Sequence, residues 1–422
     1  MLGRLFFWVI FLLILLRLLI RWGKLSIFKN LKHFFNRLIK TFFNVDYRKL
    51  KKQDSPVVPF LTVGGLCSGV GGIELGFKLA GFDIAWANDM DRNAMTTYEA
   101  IMGENHYLDR KPQKINEIKK IPPPVTVLAA GFPCQAFSIA GNRKGFQDAR
   151  GTVIYDIIEL ISGFKKVDKP KVLFLENVKN FKTHDKGTTY SAIVEKLNRL
   201  DYSVYTKVLN TCDYSDVPQN RERTYMVCFL GEGGWNKKEF EKLPKELIDD
   251  EIKKHNNKFP KTAKFHFNYP KKNKNPAKLT SVSVRNALFE RNVEEKRYHY
   301  SEGAYLEMLR KTFPEPKEDT GYQIRRVYPR ENQSNLIPTL TANMGTGGHN
   351  VPLIYQKNND LWRKLTPKEC FKLQGYGKYA ERLPDNSKVA NGQLYKQAGN
   401  SVTVGVIERL AKSIFKTLND ND

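Results

Sequence analysis

The feature that most narrows the folds open to this chain is a strand, a glycine turn and a helix in immediate succession, beginning at Phe60. Phe60 to Leu66 is a β-rich run, Gly69, Gly71 and Gly72 form a turn, and Ile73 to Ala80 has helical spacing. This is how a nucleotide-binding βαβ unit opens. The next strand, Phe82 to Ala87, leads into Asn88-Asp89, so a carboxylate stands about twenty residues beyond the turn, where a ribose hydroxyl needs an acceptor. Gly-x-Gly-Gly is nevertheless not the dinucleotide fingerprint. Further strands read at Val125 to Ala130, Lys171 to Leu175, Ser203 to Leu209 and Thr224 to Phe229, with helices near Tyr155 to Phe164 and Tyr190 to Leu200. Such alternation predicts an α/β protein with a doubly wound, mostly parallel sheet.

The chemistry centres on GFPCQAFS, Gly131 to Ser138, which follows the Val125 to Ala130 strand. Cys134 therefore falls on a loop at the carboxyl end of the sheet, where open α/β folds bind ligands. Pro133 fixes its own φ and pushes Phe132 away from helix, which stiffens the turn that presents the thiol. A cysteine on a loop is by itself more often inert than reactive, and a lone strand-terminal glutamate is usually solvated or a helix cap. Glu176, in the ENV that ends the Lys171 to Leu175 strand, lies on the same edge. A thiol and a carboxyl converging beside a nucleotide-type pocket point to covalent catalysis assisted by an acid. The five cysteines include no CxxC pair and no histidine clusters with them, which argues against a disulfide framework and a metal site.

Beyond Gly231 the regularity fades. Residues 231–355 hold lysine-rich stretches such as Lys271-Lys272-Asn273-Lys274, many Asn and Pro residues and the Gly-rich MGTGGHN at Met344 to Asn350, and read as a smaller, irregular second domain. Helical spacing returns at Thr366 to Leu373, with Thr366 as N-cap and Pro367 at the first helical position, and a last helix reads from Val404 to Leu418. Residues 56–230 and 356–422 are thus expected to form one body around the 231–355 insertion.

Residues 1–55 differ in kind. Leu5 to Leu16 is unbroken apolar sequence that resumes after Arg17, marginally long enough to cross a bilayer. A basic amphipathic run follows from Arg21 to Lys40. If residues 5–22 form an inner-membrane tether, the cations behind them leave the body in the cytoplasm. Two other readings stay open: a segment that merely covers the body, and non-functional sequence from an upstream start codon. Residues 1–50 carry ten Lys or Arg and one acid, part of a formal net charge of +25. An excess of that size favours a polyanionic partner, nucleic acid first.

From Phe60 onward the chain resembles the DNA cytosine-5 methyltransferases of bacterial restriction-modification type. The resemblance rests on LCSGVGG, ANDMD, GFPCQAFS, ENVKNF, PQNRERTYMV, RKLTPKECFKLQGY and YKQAGNSV, in the family's order, while PTLTANMGTGGHNVP (Pro338 to Pro352) resembles its target-recognition region. It implies a Rossmann-like S-adenosylmethionine-dependent domain with a smaller target-recognition domain. In the roles it implies, Cys134 adds to carbon 6 of a cytosine, Glu176 bonds ring nitrogen 3 and the exocyclic amine, Arg223 holds the base carbonyl oxygen, and Arg221 supports that loop and carboxylate. For the cofactor it implies Cys67, Gly69, Val70 and Gly72 at the methionine end and Asp89 on the ribose hydroxyls. Met90, Ile115, Pro133 and Val153 would line the rest, with Asn400, Ser401 and Val402 closing the pocket. Gln135, Ser138 and Arg150 would belong to a loop that closes on double-stranded DNA around a flipped base.

Three departures from the family pattern stand out: Cys67 where Phe is usual, Met90 where Trp is common, and Lys114 where an acid normally precedes Ile115 and accepts from the adenine amine. The resemblance also implies a monomer, a cognate restriction endonuclease acting in the same system, and recognition by residues 231–355 of a short GC-rich site such as GGNCC or CCGG. The rival readings are an RNA cytosine methyltransferase on the same scaffold, a catalytically dead DNA-binding relative, and a membrane-associated binding protein motivated by residues 1–40.

Overall fold

The computed structural model describes residues 61–103, 105–133, 153–231, 267–290, 293–325, 328–332, 334–346 and 350–419. Cys134, Gln135, Ser138, Arg150 and the apolar and basic N-terminal segment lie outside the described residues.

Five strands carry the first half of the chain: β1 Thr62–Leu66, β2 Asp83–Asn88, β3 Val127–Gly131, β4 Val172–Val178 and β5 Tyr202–Asn210. After the two-residue β6 (Gln219–Asn220) comes β7, Glu222–Leu230. The main sheet has the order β2-β1-β3-β4-β7-β5. β2, β1, β3 and β4 are mutually parallel, and β7 runs antiparallel to both its neighbours. β4 is buried along almost its whole length, as a strand covered on both faces must be. One face packs the helices Val153–Gly163 and Thr188–Arg199 through Ile157, Ile161, Ile193 and Leu197 against Leu66, Leu128 and Leu175. The other packs Gly72–Leu79 and the last helix, Val404–Asn419, through Ile73, Phe77, Ile407 and Leu410 against Val63, Val127 and Phe174. A side chain at Gly76 would meet Ile407 at 2.5 Å, so glycine lets the first and last helices close on each other.

The chain leaves β1 to one side for β2 and returns on the other for β3. The carboxyl ends of β1 and β3 therefore flank a topological switch point, the crevice where open α/β sheets bind ligands. The expected strands all form, with one informative difference. β4 continues through Glu176, Asn177 and Val178 because β7 pairs alongside it, Glu176 opposite Tyr225 and Val178 opposite Arg223. Among the described residues, the longest helices that the sequence reading does not include are Arg92–Met102, capped by Asp91, and Asn391–Asn400.

Past residue 266, Phe267 packs on Tyr205 and Phe229 at the edge of the main sheet, and the amides of Asn273 and Ala277 donate to the carbonyls of Asp213 and Cys212. Farther on, β8 Tyr322–Arg325, β9 Tyr328–Glu331, β11 Leu353–Gln356 and β12 Leu361–Lys364 make an antiparallel sheet ordered β12-β11-β8-β9, while β10 (Ile337–Pro338) pairs with β6. Its core is Leu306, Leu309, Tyr322, Leu353 and Trp362. Strands of four residues are too short for alternation to register in sequence. Thr366 caps Pro367–Lys372 in a reciprocal box with Glu369. The same glutamate is fully buried against Arg363, at 2.6 Å. Among the described residues no helix is long and apolar enough to cross a membrane.

Candidate active site

Two clusters sit at the carboxyl edge of the main sheet. The first lies at the tips of β1 and β2. Cys67 and Gly69 both take positive φ, 51° and 53°, as the chain turns sharply out of β1. The Asp89 carboxylate accepts from the Gly69 amide at 2.8 Å and from the Asp91 amide at 2.9 Å. Burial raises its pKa against the pull of these backbone donors. The Tyr107 hydroxyl donates to the Gly69 carbonyl at 3.1 Å. Beneath the turn, Val70, Gly72, Ile115, Ser401 and Val402 are buried, and a side chain at Gly72 would run into the Tyr376 hydroxyl at 2.7 Å and the Ser401 hydroxyl at 2.8 Å. These two hydroxyls bond each other at 2.7 Å. Met90 and Asn400 are exposed, and Pro133 and Val153 are half-buried. Burial pushes the Cys67 thiol up, helped by Asp89, Asp156 and Glu74, so it stays a neutral packing group.

The second cluster lies at the end of β4. Glu176 is buried, and Arg223 Nε stands 3.3 Å from its Oε1. Burial raises the Glu176 pKa, opposed first by Arg223 and then by Arg221. Register accounts for the pairing, since Arg223 enters β7 directly opposite Val178. Arg221 turns the other way: it donates to the carbonyls of Leu340 (2.7 Å), Gly399 (3.2 Å) and Ser401, and so fastens the cofactor-side C-terminal segment to the strand that carries Arg223. A hollow of about 220 Å³ opens beside the pair, lined by Val178, Lys179, Asn180, Asn220, Glu222, Arg223 and Thr339.

The clusters are joined through β3. Gly131 pairs with Glu176, and the Asn177 amide donates to the Phe132 carbonyl at 3.2 Å, fixing the strand end that leads through Pro133 to Cys134. The roles drawn from sequence omitted Asn177 and Tyr107. Asn177 was in plain view within ENV, whereas the contact from Tyr107 to Gly69 has no sequence signal. At Lys114 the side chain does not replace an acid. Instead, the Lys114 amide donates to Glu117 Oε2 at 3.1 Å.

A doubly wound α/β sheet with an anionic, glycine-lined crevice at its switch point and a buried acid paired with arginine one strand away is the architecture of an α/β enzyme with a nucleotide-type pocket. Comparison with known proteins specifies it. The family profile "C-5 cytosine-specific DNA methylase" matches residues 61–416. The Type II methyltransferase M.Bsp6I of Bacillus sp. (strain RFL6) is 39% identical over 363 residues, 85% of this chain and 99% of that protein. M.HhaI of Haemophilus parahaemolyticus, also a Type II methyltransferase, is 35% identical over 365 residues, 84% of this chain and 94% of that one. The chain belongs to the C-5 cytosine-specific DNA methylase family, whose members are S-adenosylmethionine-dependent methyltransferases acting on DNA. Solved structures show the same fold: Entamoeba histolytica methyltransferase EhMeth, TM-score 0.57 at 18% identity, covering 85% of this chain and 98% of that one, and S. pombe Dnmt2 methyltransferase, TM-score 0.56 at 19%, covering 85% and 99%.

Proposed function

We propose that this chain methylates carbon 5 of a cytosine flipped out of a short duplex sequence, as the protecting half of a restriction-modification system. The observation that carries this reading is the buried Glu176–Arg223 pair one strand from the turn that leads to Cys134. Carbon 5 is a weak nucleophile. Addition of the Cys134 thiolate to carbon 6 converts the ring to an enamine whose carbon 5 can accept a methyl group, after which loss of the carbon 5 proton expels the thiolate and restores the ring. Burial favours the neutral acid form of Glu176, which can donate to ring nitrogen 3 as electrons accumulate there and accept from the exocyclic amine, a contact strongest in the transition state. Arg223 faces the same hollow and holds the base carbonyl oxygen. Arg221 acts by fastening strand and C-terminal segment together.

The residues of the first cluster fit S-adenosylmethionine. Asp89 presents a carboxylate for ribose hydroxyls, Gly69, Val70 and Gly72 admit its methionine end, Met90 and Ile115 flank the adenine, and Cys67, Pro133 and Val153 line the remainder. Asn400, Ser401 and Val402 close the pocket. Bound there, it supplies an electrophilic methyl group. Gln135, Ser138 and Arg150 close on the DNA, and residues 231–355 read its sequence, with phosphate contacts making affinity strongly salt-dependent.

The test is to incubate the purified chain with labelled S-adenosylmethionine and mixed-sequence duplex DNA or tRNA, beside Cys134→Ser. Label in DNA at one short motif, lost in the variant, is the expected result. Label in tRNA alone, or label in DNA that survives Cys134→Ser, would overturn it.

A further inference from the structure

Glu74 has no part in the roles above, yet it is among the most deeply buried charged groups, 1% exposed in the first turn of Gly72–Leu79. Its carboxyl lies over β1 where only glycine leaves room: a side chain at Gly65 would stand 1.8 Å from Glu74 Oε1 and 2.6 Å from the Ser68 hydroxyl. One oxygen is bonded by Ser68 and by the backbone amide of Glu74 itself, and the Ser68 hydroxyl accepts from the Asn88 amide at 3.3 Å. Glu74 thus braces the tips of β1 and β2 beside Asp89. The other oxygen, Oε2, is buried with no hydrogen-bond partner among the described residues.

The groups that face it are acids or phenols. Asp89 acts on it from the end of β2, and it in turn acts on Cys67, Tyr107 and Tyr376. Arg221, whose charge reaches Tyr376, is held by the three carbonyls described above. The last helix, packed on the far side, presents Ile407 there and directs Arg409 to Asn273 and the Lys271 carbonyl. A buried carboxyl with no cation beside it among the described residues, under a turn proposed to take a cationic ligand, leaves charge unbalanced until that ligand arrives.

We propose that Glu74 is a positioning and specificity residue of the donor pocket, whose carboxylate favours the positively charged sulfonium donor over the uncharged thioether product. The inference rests on S-adenosylmethionine being the donor. Burial pushes the Glu74 carboxyl up to about 7, so the preference switches on as pH rises through neutrality, the carboxyl giving its proton to solvent as donor binds.

The experiment is calorimetric affinity of the full chain for S-adenosylmethionine and for S-adenosylhomocysteine at pH 6 and pH 8, either side of about 7. The sulfonium lowers the donor's own α-amino pKa relative to that of the thioether, so the contribution of Glu74 is read as the difference between the wild type and Glu74→Gln. In the wild type the preference for the donor should grow about tenfold between the two pH values, as expected for a unit charge acting at close range in a protein interior. Glu74→Gln should remove that tenfold growth and leave only the change contributed by the donor's own amine. Ser68→Ala keeps the charge but removes a hydrogen bond that holds the Glu74 pKa down, so it should weaken both ligands and move the pH dependence of the ratio to higher pH without abolishing it. A flat ratio in the wild type, or a slope equal in the wild type and Glu74→Gln, would overturn the inference. If Glu74→Gln fails to fold, the wild-type ratio and proton release measured in two buffers decide alone. Failure of the wild type to bind either ligand would instead overturn the donor reading itself, and this inference with it.

Discussion

The two ends of the crevice solve the problem of a buried carboxyl in opposite ways. On the base side Glu176 has its cation in place, with Arg223 Nε at 3.3 Å and Arg221 close enough to lower its pKa. On the donor side Asp89 is held by backbone amides, and Glu74 has the Ser68 hydroxyl and its own amide but no cation among the described residues. The difference matches what each side receives. A cytosine is neutral and gains electron density during the reaction, so the base side needs its positive charge before the substrate enters. The donor brings a positive charge with it, and a pre-paired carboxylate would have nothing left to offer.

The largest test of this contrast is Glu176→Gln, which keeps shape and partner but cannot deliver a proton to ring nitrogen 3. Steady-state methylation should show kcat lowered by about 10²–10³, with S-adenosylmethionine affinity unchanged. On the donor side Asp89→Ala removes a charge-assisted acceptor from the Gly69 turn and should raise the calorimetric Kd for S-adenosylmethionine by about ten- to a hundredfold, with a much smaller change in the methylation rate at saturating donor. If both variants lost kcat and donor affinity together, the division of labour would fail.

A stability measurement sharpens the same contrast. Glu176 has its folded pKa raised above the unfolded value. Its stabilising contribution is therefore full at low pH and lost as pH rises through the folded value. Arg223→Ala removes the charge that opposes this rise, so its melting temperature should fall below wild type by more at pH 8 than at pH 5. A loss equal at both pH values would mean that Arg223 contributes packing rather than charge. The smallest expected effect is a control away from both sides: Thr366→Ala breaks the box that caps Pro367–Lys372 and should cost about 1 kcal/mol, seen as a lower melting temperature with kcat and donor Kd intact.

Much of this could be read before any coordinates. The strand, turn and helix at Thr62 to Leu79, the acid at Asp89 and the ordered motifs are local patterns, and the observed elements fall within a few residues of them. Harder to read were short or polar elements. The strands of the smaller sheet are four residues long, and Arg92–Met102 carries its apolar face in few residues. Glu74 offered no signal at all, since a glutamate in a first helical turn is ordinary and only its lid of Gly65, Ser68 and Asn88 makes it unusual.

The sequence by itself therefore determined where the longer, strongly periodic elements form, in what order, and which residue types stand at the sheet's carboxyl edge, because periodicity, caps and turns act over about one to three turns of chain. Tertiary structure alone decided who meets whom. It inserted β7 antiparallel beside β4 and so brought Arg223 to Glu176. It sent Arg221 to the carbonyls of the C-terminal segment, and it left Glu74 Oε2 buried without a hydrogen-bond partner among the described residues. Those outcomes depend on strand register and on burial between distant segments, and burial changes the energy of a charge by far more than any local preference does.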